Sequence, residues 1–330
     1  MSQLMAKSKQ LLNLALAPTT RENYASSYRK FTAFCNHHHI NIYPVLEDTL
    51  IAFATDLSYT LAHSSIKVHL AAVGFHCAIQ GQPIPFKTFK RLYYLMRGIK
   101  RVQGGKKKKR KRAPITPTML KTININLFNS SHVYEDKVML WAALLMAFYG
   151  FLRVSEYTSA RKKTFDPTTT LLFSDMNFTS DGSVTLLLKT SKTDPFRDGV
   201  MLRIAPNGSS LCPVQALRHL YYCHPSKSGP LFTFQNGRFL SRSDVNSLLL
   251  STTQGVANVS SHSLCIGAAS TAAAAGCPKW LIQALGRWSS DCFREYIQIP
   301  KTTIKKTSKN MAACRASHIK RFDPDIFAAA

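Results

Sequence analysis

The stretch "LLFSDMNFTSDGSVTLLLKTSKTDPFRDGVMLRIA", Leu171 to Ala205, is where the texture of the chain changes. Three short apolar, partly alternating runs, LLFSDMNF, SVTLLLKT and VMLRIA, are divided by TSDG and SKTDPFRDG, both rich in turn formers. Period-two alternation between Asp-Gly turns predicts strands, and connections this short join antiparallel neighbours. The stretch therefore reads as a three-stranded antiparallel meander. Nearly everything on either side of it carries helical periodicity, so the fold class is mainly α, in two domains, with one small sheet.

Upstream of the meander lies "VMLWAALLMAFYGFL", Val138 to Leu152, the longest apolar run. It falls short of the roughly 20 residues that cross a bilayer and reads as a buried core helix, with a membrane span as the minor alternative. Downstream, CPVQALRHLYYC, SRSDVNSLLLSTTQ, HSLCIGAASTAAAAG, PKWLIQALGRW and DCFREYI are helical again, so residues 114–330 form a mixed α+β domain. The N-terminal part differs. "TTRENYASSYRKFTAFCNHH" opens on a Thr cap and sets Tyr24, Tyr28, Phe31 and Phe34 at steps of three and four. LEDTLIAFATDLSY, HSSIKVHLAAVGFHCAIQG and FKTFKRLYYLMRGIKRV show the same spacing, which makes residues 1–103 a bundle of about four helices. His37, His38 and His39 are consecutive, cannot all face one ion from a helix, and read as a loop.

Between the two domains, residues 104–113, the chain reads GGKKKKRKRA, with seven consecutive basic residues: Lys106, Lys107, Lys108, Lys109, Arg110, Lys111 and Arg112. Such a run builds no core and reads as an exposed linker that tracks phosphates, serves as a nuclear import signal, or both. The whole chain is basic. Forty-three Lys and Arg against 17 Asp and Glu give +26, of which +15 falls in residues 1–113 and +11 in 114–330. A field of that size recruits polyanions, and both halves share it. Eight cysteines show no C-x-x-C or paired zinc spacing, and no signal-like N-terminus is present, so reduced thiols inside a cell, in the nucleus, are expected.

Several residues of the second half stand out chemically. Arg153 and Glu156 sit three apart at the end of the most apolar helix, where an unpaired charge is costly. Lys192 lies in the turn between two strands, where a hairpin tip can hold a cation against a partner. His262 opens a helix, whose first N–H groups favour an anion, and Cys265 follows it by three. Arg287, Trp288 and Tyr296 fall within GRWSSDCFREYI. Taken one at a time, each has an ordinary structural explanation. The His–Cys pair alone is compatible with half a metal site, a thiol nucleophile beside its base, or a packed helix start; no orienting group supports the thiol enzyme and no further ligands support zinc.

The order Arg, Lys, His, basic or aromatic, Tyr, on a strongly basic two-domain chain, resembles the tyrosine recombinase or phage-integrase family, in particular its eukaryotic mobile-element (Crypton- or DIRS-like) branch. The resemblance runs through TRENYASSYRKFTAFC, RAPITPTML, GFLRVSE, SKTDPFRDG, LCPVQAL, HSLCIGAAS and LGRWSSDCFREYI. It implies a helical, SAM-like core-binding domain and a catalytic domain that clamp double-stranded DNA, protomers that assemble as a tetramer on DNA, and no cofactor, metal or membrane. It further implies Tyr296 as nucleophile forming a 3′-phosphotyrosine, Arg153 on the non-bridging oxygens, Lys192 protonating the leaving oxygen, His262 assisting, and Glu156 orienting Arg153. Two positions depart from the family pattern. The usual H-x-x-R box has Cys265 where its second arginine belongs, and Arg287, followed by Trp288, takes the place of the usual His or Trp. A cysteine has neither the fixed charge nor the planar fork of arginine, so the resemblance carries two outcomes: a recombinase, or an impaired or domesticated DNA-binding module. A basic RNA-binding protein is an unrelated third reading, marked by equal, salt-sensitive binding to RNA and duplex DNA.

Overall fold

The computed structural model describes residues 2–104 and 112–288, apart from 192, 193, 195–197, 225, 254 and 257. Two compact units, Met1–Arg110 and Lys111–Ala330, divide the chain. The expected sites at Lys106 to Lys111, Lys192 and Tyr296 lie outside the described residues.

Among the described residues, the first unit holds five helices: α1 (Ser2–Leu14), α2 (Pro18–His37), α3 (Glu47–Thr60), α4 (His63–Ile79) and α5 (Lys90–Gly104). Four match the helical runs of the sequence; α1 is an addition, with Leu4, Met5, Leu11 and Leu14 exposed. Helix α2 begins one residue before the threonines, at Pro18, and its N-cap Ala17 makes no side-chain bond. Proline pre-sets the first helical φ and has no N–H to leave unsatisfied, so it starts the helix without a threonine cap. His37 is the last residue of α2, and His38 and His39 form the turn. The stripe predicted on α2 is buried at Phe31, which meets Phe53 of α3 edge to face at 5.2 Å. Burial of a ring of this size contributes about 1.5–3 kcal/mol. Tyr28 is half-buried, stacks on His76 at 4.4 Å and shares a 2.7 Å hydrogen bond with Tyr43.

The second unit is built round α7 (Tyr134–Tyr149), reached from α6 (Pro117–Phe128). Every residue of α7 from Val138 to Phe148 is buried. No helix among the described residues is long and apolar enough to cross a membrane. A short helix α8 (Val154–Tyr157) leads to the sheet β1 (Met176–Phe178), β2 (Val184–Leu188) and β3 (Val200–Ile204), and α9 (Pro213–Cys223), α10 (Arg242–Thr252), α11 (His262–Ala274) and α12 (Lys279–Leu285) follow. Helices α9, α11 and α6 pack on α7. The sheet is an antiparallel meander in the order β1-β2-β3, with Met176 opposite Leu186 and Leu186 opposite Leu202. Its first strand is shorter than the sequence run, because Phe173–Asp175 form a 3-10 turn.

Helix α11 owes its place to its small residues. A Cβ built on Gly267 would lie 1.9 Å from the Ile115 carbonyl oxygen, so only glycine lets α11 touch that backbone. The contact is tied by Ile115 N–H donating to Ser263 O at 3.0 Å.

Candidate active site

Helix α7 ends at Gly150, and the chain then reverses through Phe151 at φ 51°, a left-handed conformation uncommon for a bulky residue. Leu152 N–H returns to Ala147 O at 2.9 Å and closes the turn. Two neighbours hold Phe151 there. Trp288 meets its ring edge to face at 6.2 Å, and Arg287, itself at φ 53°, donates from Nη2 to Phe151 O at 3.3 Å and from Nη1 to Gly150 O at 3.1 Å. Strained residues persist only where their surroundings over-determine them, and this turn aims the next element.

That element starts with Arg153, the N-cap of α8. Glu156 accepts the Arg153 backbone N–H at 3.0 Å and the Arg153 Nη1 donor at 3.1 Å, so the carboxylate fixes both ends of the arginine. Glu156 also accepts from Arg287 Nη2 at 2.8 Å and from Ser191 Oγ at 2.9 Å, while Arg153 Nη1 donates to Ser191 Oγ at 3.3 Å. The carboxylate side chain is 2% exposed, the Arg287 side chain 9% and the Arg153 side chain 18%. Two guanidiniums against one carboxylate leave one net positive charge at a nearly dry centre, where electrostatic interactions are stronger than in water. Arg153 Nε and Nη2 have no hydrogen-bond partner among the described residues.

Cys265 lies on the buried face of α11 and donates its thiol to Leu152 O at 2.8 Å, next to Arg153 in the chain. Burial pushes the thiol up to about 12, and the Glu156 charge adds to the rise while Arg153 and Arg287 oppose it. The thiol is therefore neutral at physiological pH, and an inert thiol is a poor nucleophile. Beside it, the Tyr157 hydroxyl is buried without a hydrogen-bond partner among the described residues, and its pKa is raised by burial first and by Cys265 second.

The structure thus brings Arg153, Glu156, Cys265 and Arg287 to one centre, with Trp288 behind it. His262, half-buried, stands one turn before Cys265 on the same helix. Arg287 turns inward: its Nη atoms serve Gly150 O, Leu285 O, Phe151 O and Glu156, and its Nε is buried. Trp288 is 8% exposed and packs as core. Arg112 is exposed. Ser191 was no candidate in the sequence; its only signal is a hydroxyl directly before Lys192 in SKTD.

No family model matches the chain, and no curated protein matches it. Solved structures do. The Tn1549 transposon integrase (residues 82–397, Y379F) in complex with transposon right end DNA superposes with a TM-score of 0.61 over 94% of this chain and 98% of that one, at 16% identity. The XerH site-specific recombinase bound to palindromic difH substrate, in a post-cleavage complex, gives 0.60 over 89% and 78%, at 13% identity. The chain has a tyrosine-recombinase fold. A lambda integrase dimer bound to a COC′ core site gives 0.57 over 90% of this chain and 77% of that one, also at 13% identity, so the likeness to tyrosine recombinases spans both units. At these identities the agreement is one of backbone architecture.

Proposed function

We propose that this protein binds double-stranded DNA and catalyses strand exchange of the integrase type through Tyr296, at a rate lowered by the loss of one phosphate-clamping arginine. The observation that carries the reading is the Arg153–Glu156 pair, fixed at 3.1 Å beside a buried, neutral Cys265. The DNA-bound state of the three similar integrases and recombinases and the +26 charge support the same partner. In this reading Arg153 takes the non-bridging oxygens of the scissile phosphate. Tyr296 Oη attacks phosphorus, the bond to the 5′ oxygen breaks, Lys192 delivers the proton that makes a 5′-hydroxyl, and His262 assists proton movement. A tyrosine of ordinary pKa near 10 is almost wholly protonated at neutral pH, so concentrated positive charge must serve both the nucleophile and the phosphate.

Removal of one charge-stabilising donor of this kind costs about 10² to 10³ in rate. The basic run Lys106–Arg112 tracks the phosphate backbone and directs the protein to the nucleus. Protomers gather as a tetramer on two DNA sites, and the chain derives from the Crypton- or DIRS-like branch of eukaryotic mobile elements. Cys265 also favours a second reading, a binding module that retains the clamp without turnover.

Covalent trapping tests both. The protein is incubated with nicked duplexes drawn from the DNA flanking its own gene and resolved on a denaturing gel beside Tyr296→Phe and Cys265→Arg. A weak adduct in the native protein, stronger in Cys265→Arg and absent in Tyr296→Phe, is the expected result. An adduct confined to Cys265→Arg favours the binding module, and no adduct in any variant refutes the recombinase reading.

A further inference from the structure

We infer that the groove between α4 and α5 of the first unit is a docking site for an acidic amphipathic helix of a partner protein, a function separate from strand exchange. The groove is a recess of about 560 Å³ with Leu70, Phe89, Leu92 and Met96 on its floor. Leu70 and Leu92 belong to the buried core, whereas Phe86 and Tyr93, which also line the recess, stay 37% and 55% exposed. A recess of this volume lies within the range of ligand sites, and a cleft between two helices is the shape that accepts the apolar stripe of a third.

The walls are fixed at both ends. His63 N–H, at the start of α4, donates to Gln103 Oε1 at 2.7 Å, and Gln103 Nε2 donates to Leu61 O at 2.9 Å, so the end of α5 is tied to the beginning of α4. In the first turn of α5, Leu92 N–H donates to Glu47 Oε1 at 2.9 Å. Phe86 lies on Gly74, where a Cβ would come within 2.6 Å of the ring. A groove built in advance spares its ligand the cost of ordering it.

Charge selects the partner. His63, Lys67, Arg97 and Lys100 line the recess, and no carboxylate does. Burial first, then the charges of Lys100 and Lys67, hold His63 below its usual 6.5, which sets both lysines near it. The first unit has four carboxylates, Glu22, Glu47, Asp48 and Asp56. Glu47 holds the Leu92 N–H and Asp48 pairs with Arg91 at 2.6 Å, and among the described residues none of the four forms an ion pair with Lys67, Arg97 or Lys100. Positive charge round an apolar floor calls for a ligand that carries both carboxylates and an apolar stripe. A phosphate backbone supplies the anion and nothing to fill the floor. Helix α1 of a second copy supplies the reverse, because Leu4, Met5 and Leu11 are exposed on it but its only charges are Lys7 and Lys9.

Fluorescence anisotropy on the full chain tests this with three labelled peptides of 13 residues, the length of α1. One has Leu at every third or fourth position and Glu between, the second has Lys in place of Glu, and the third is the Ser2–Leu14 sequence itself. The glutamate peptide is expected to bind, and the other two more weakly by about 10-fold or more. Lys67→Glu/Lys100→Glu should reverse the preference between the glutamate and lysine peptides. Ala71, exposed on α4, lines the recess, so Ala71→Phe fills it without touching charge or core. That variant should weaken the glutamate peptide roughly 10- to 100-fold and leave the affinity for duplex DNA unchanged. Absence of binding, binding indifferent to Ala71→Phe or to the charge reversal, or a preference for the α1 peptide overturns the inference, the last because the groove would then join copies of the chain. An equal loss of peptide and duplex affinity in Ala71→Phe overturns it as well, since the face would then belong to DNA. None of these readouts requires strand cleavage, so the docking site stands or falls apart from the strand-exchange reading.

Discussion

Glu156→Gln is a near-isosteric change at the centre of the site, and the geometry fixes its cost. The carboxylate accepts from Arg153 N, Arg153 Nη1, Ser191 Oγ and Arg287 Nη2. A glutamine has one acceptor oxygen, so its amide nitrogen must face two of these donors whichever way it turns. Its neutral side chain also leaves Arg287, only 9% exposed, without the anion that offsets its desolvation. Breaking a buried pair from one side costs about 3–5 kcal/mol. For a unit of roughly 150–250 residues each kcal/mol moves the midpoint by about 2–4 °C, so Tm should fall by about 6–20 °C. The protein reports this by itself: its three tryptophans, Trp141, Trp280 and Trp288, all lie in the second unit, two of them buried. Thermal and urea unfolding followed by tryptophan fluorescence therefore read that unit alone. The double variant Glu156→Gln/Arg287→Met should recover part of the loss, since it removes the stranded cation. A single-variant loss under about 1 kcal/mol, the value of an exposed ion pair, would refute the buried Arg–Glu–Arg arrangement.

Two further outcomes concern the first unit and the basic segment. Burial lowers His76 and His69 below the usual 6.5, so the unfolded chain takes up protons first as pH falls. The first unit should therefore hold its stability above about pH 6.5 and lose it below, as seen by circular dichroism against the tryptophan signal. His76→Phe, which keeps an aromatic ring against Tyr28, should flatten that slope; an unchanged slope in both His76→Phe and His69→Phe would contradict the assignment. Replacement of Lys106 to Lys109 by alanine should reduce the slope of log K against log salt for duplex DNA by about 0.9 for each phosphate no longer neutralised, up to about 3.6. Fluorescence anisotropy between 50 and 200 mM salt measures it, and an unaltered slope would mean that the segment touches no phosphate.

Much of the architecture is legible because its signals are periodic. The stripe of α2 repeats at helical spacing, the length of the apolar run marks α7 as a buried helix, and the Asp-Gly turns punctuate the meander. Helix α1 escapes that reading: its Leu, Met, Ala, Gln and Lys residues favour helix by propensity, while its apolar side chains remain exposed instead of marking a core face. At the site, Arg153 and Glu156 stand out because charge at the end of an apolar helix demands a partner, and the partner is three residues away. Arg287 is different. Its direction depends on a left-handed backbone and on carbonyls 136 and 137 residues distant in sequence, and no local spacing encodes either. Ser191 is silent for the same reason: a serine in a turn is ordinary until Glu156, 35 residues earlier, is found beside it.

The contact at Gly267 has a mechanical consequence. Ala113 N–H is bonded to Asn258 O and Ile115 N–H to Ser263 O, and the Ile115 backbone rests directly on the Cα of Gly267. The chain that emerges from the seven basic residues is thus clamped within three residues of Arg112 onto the helix that begins at His262 and carries Cys265. A pull on Arg112 would be delivered through the Ala113 and Ile115 bonds to the root of α11.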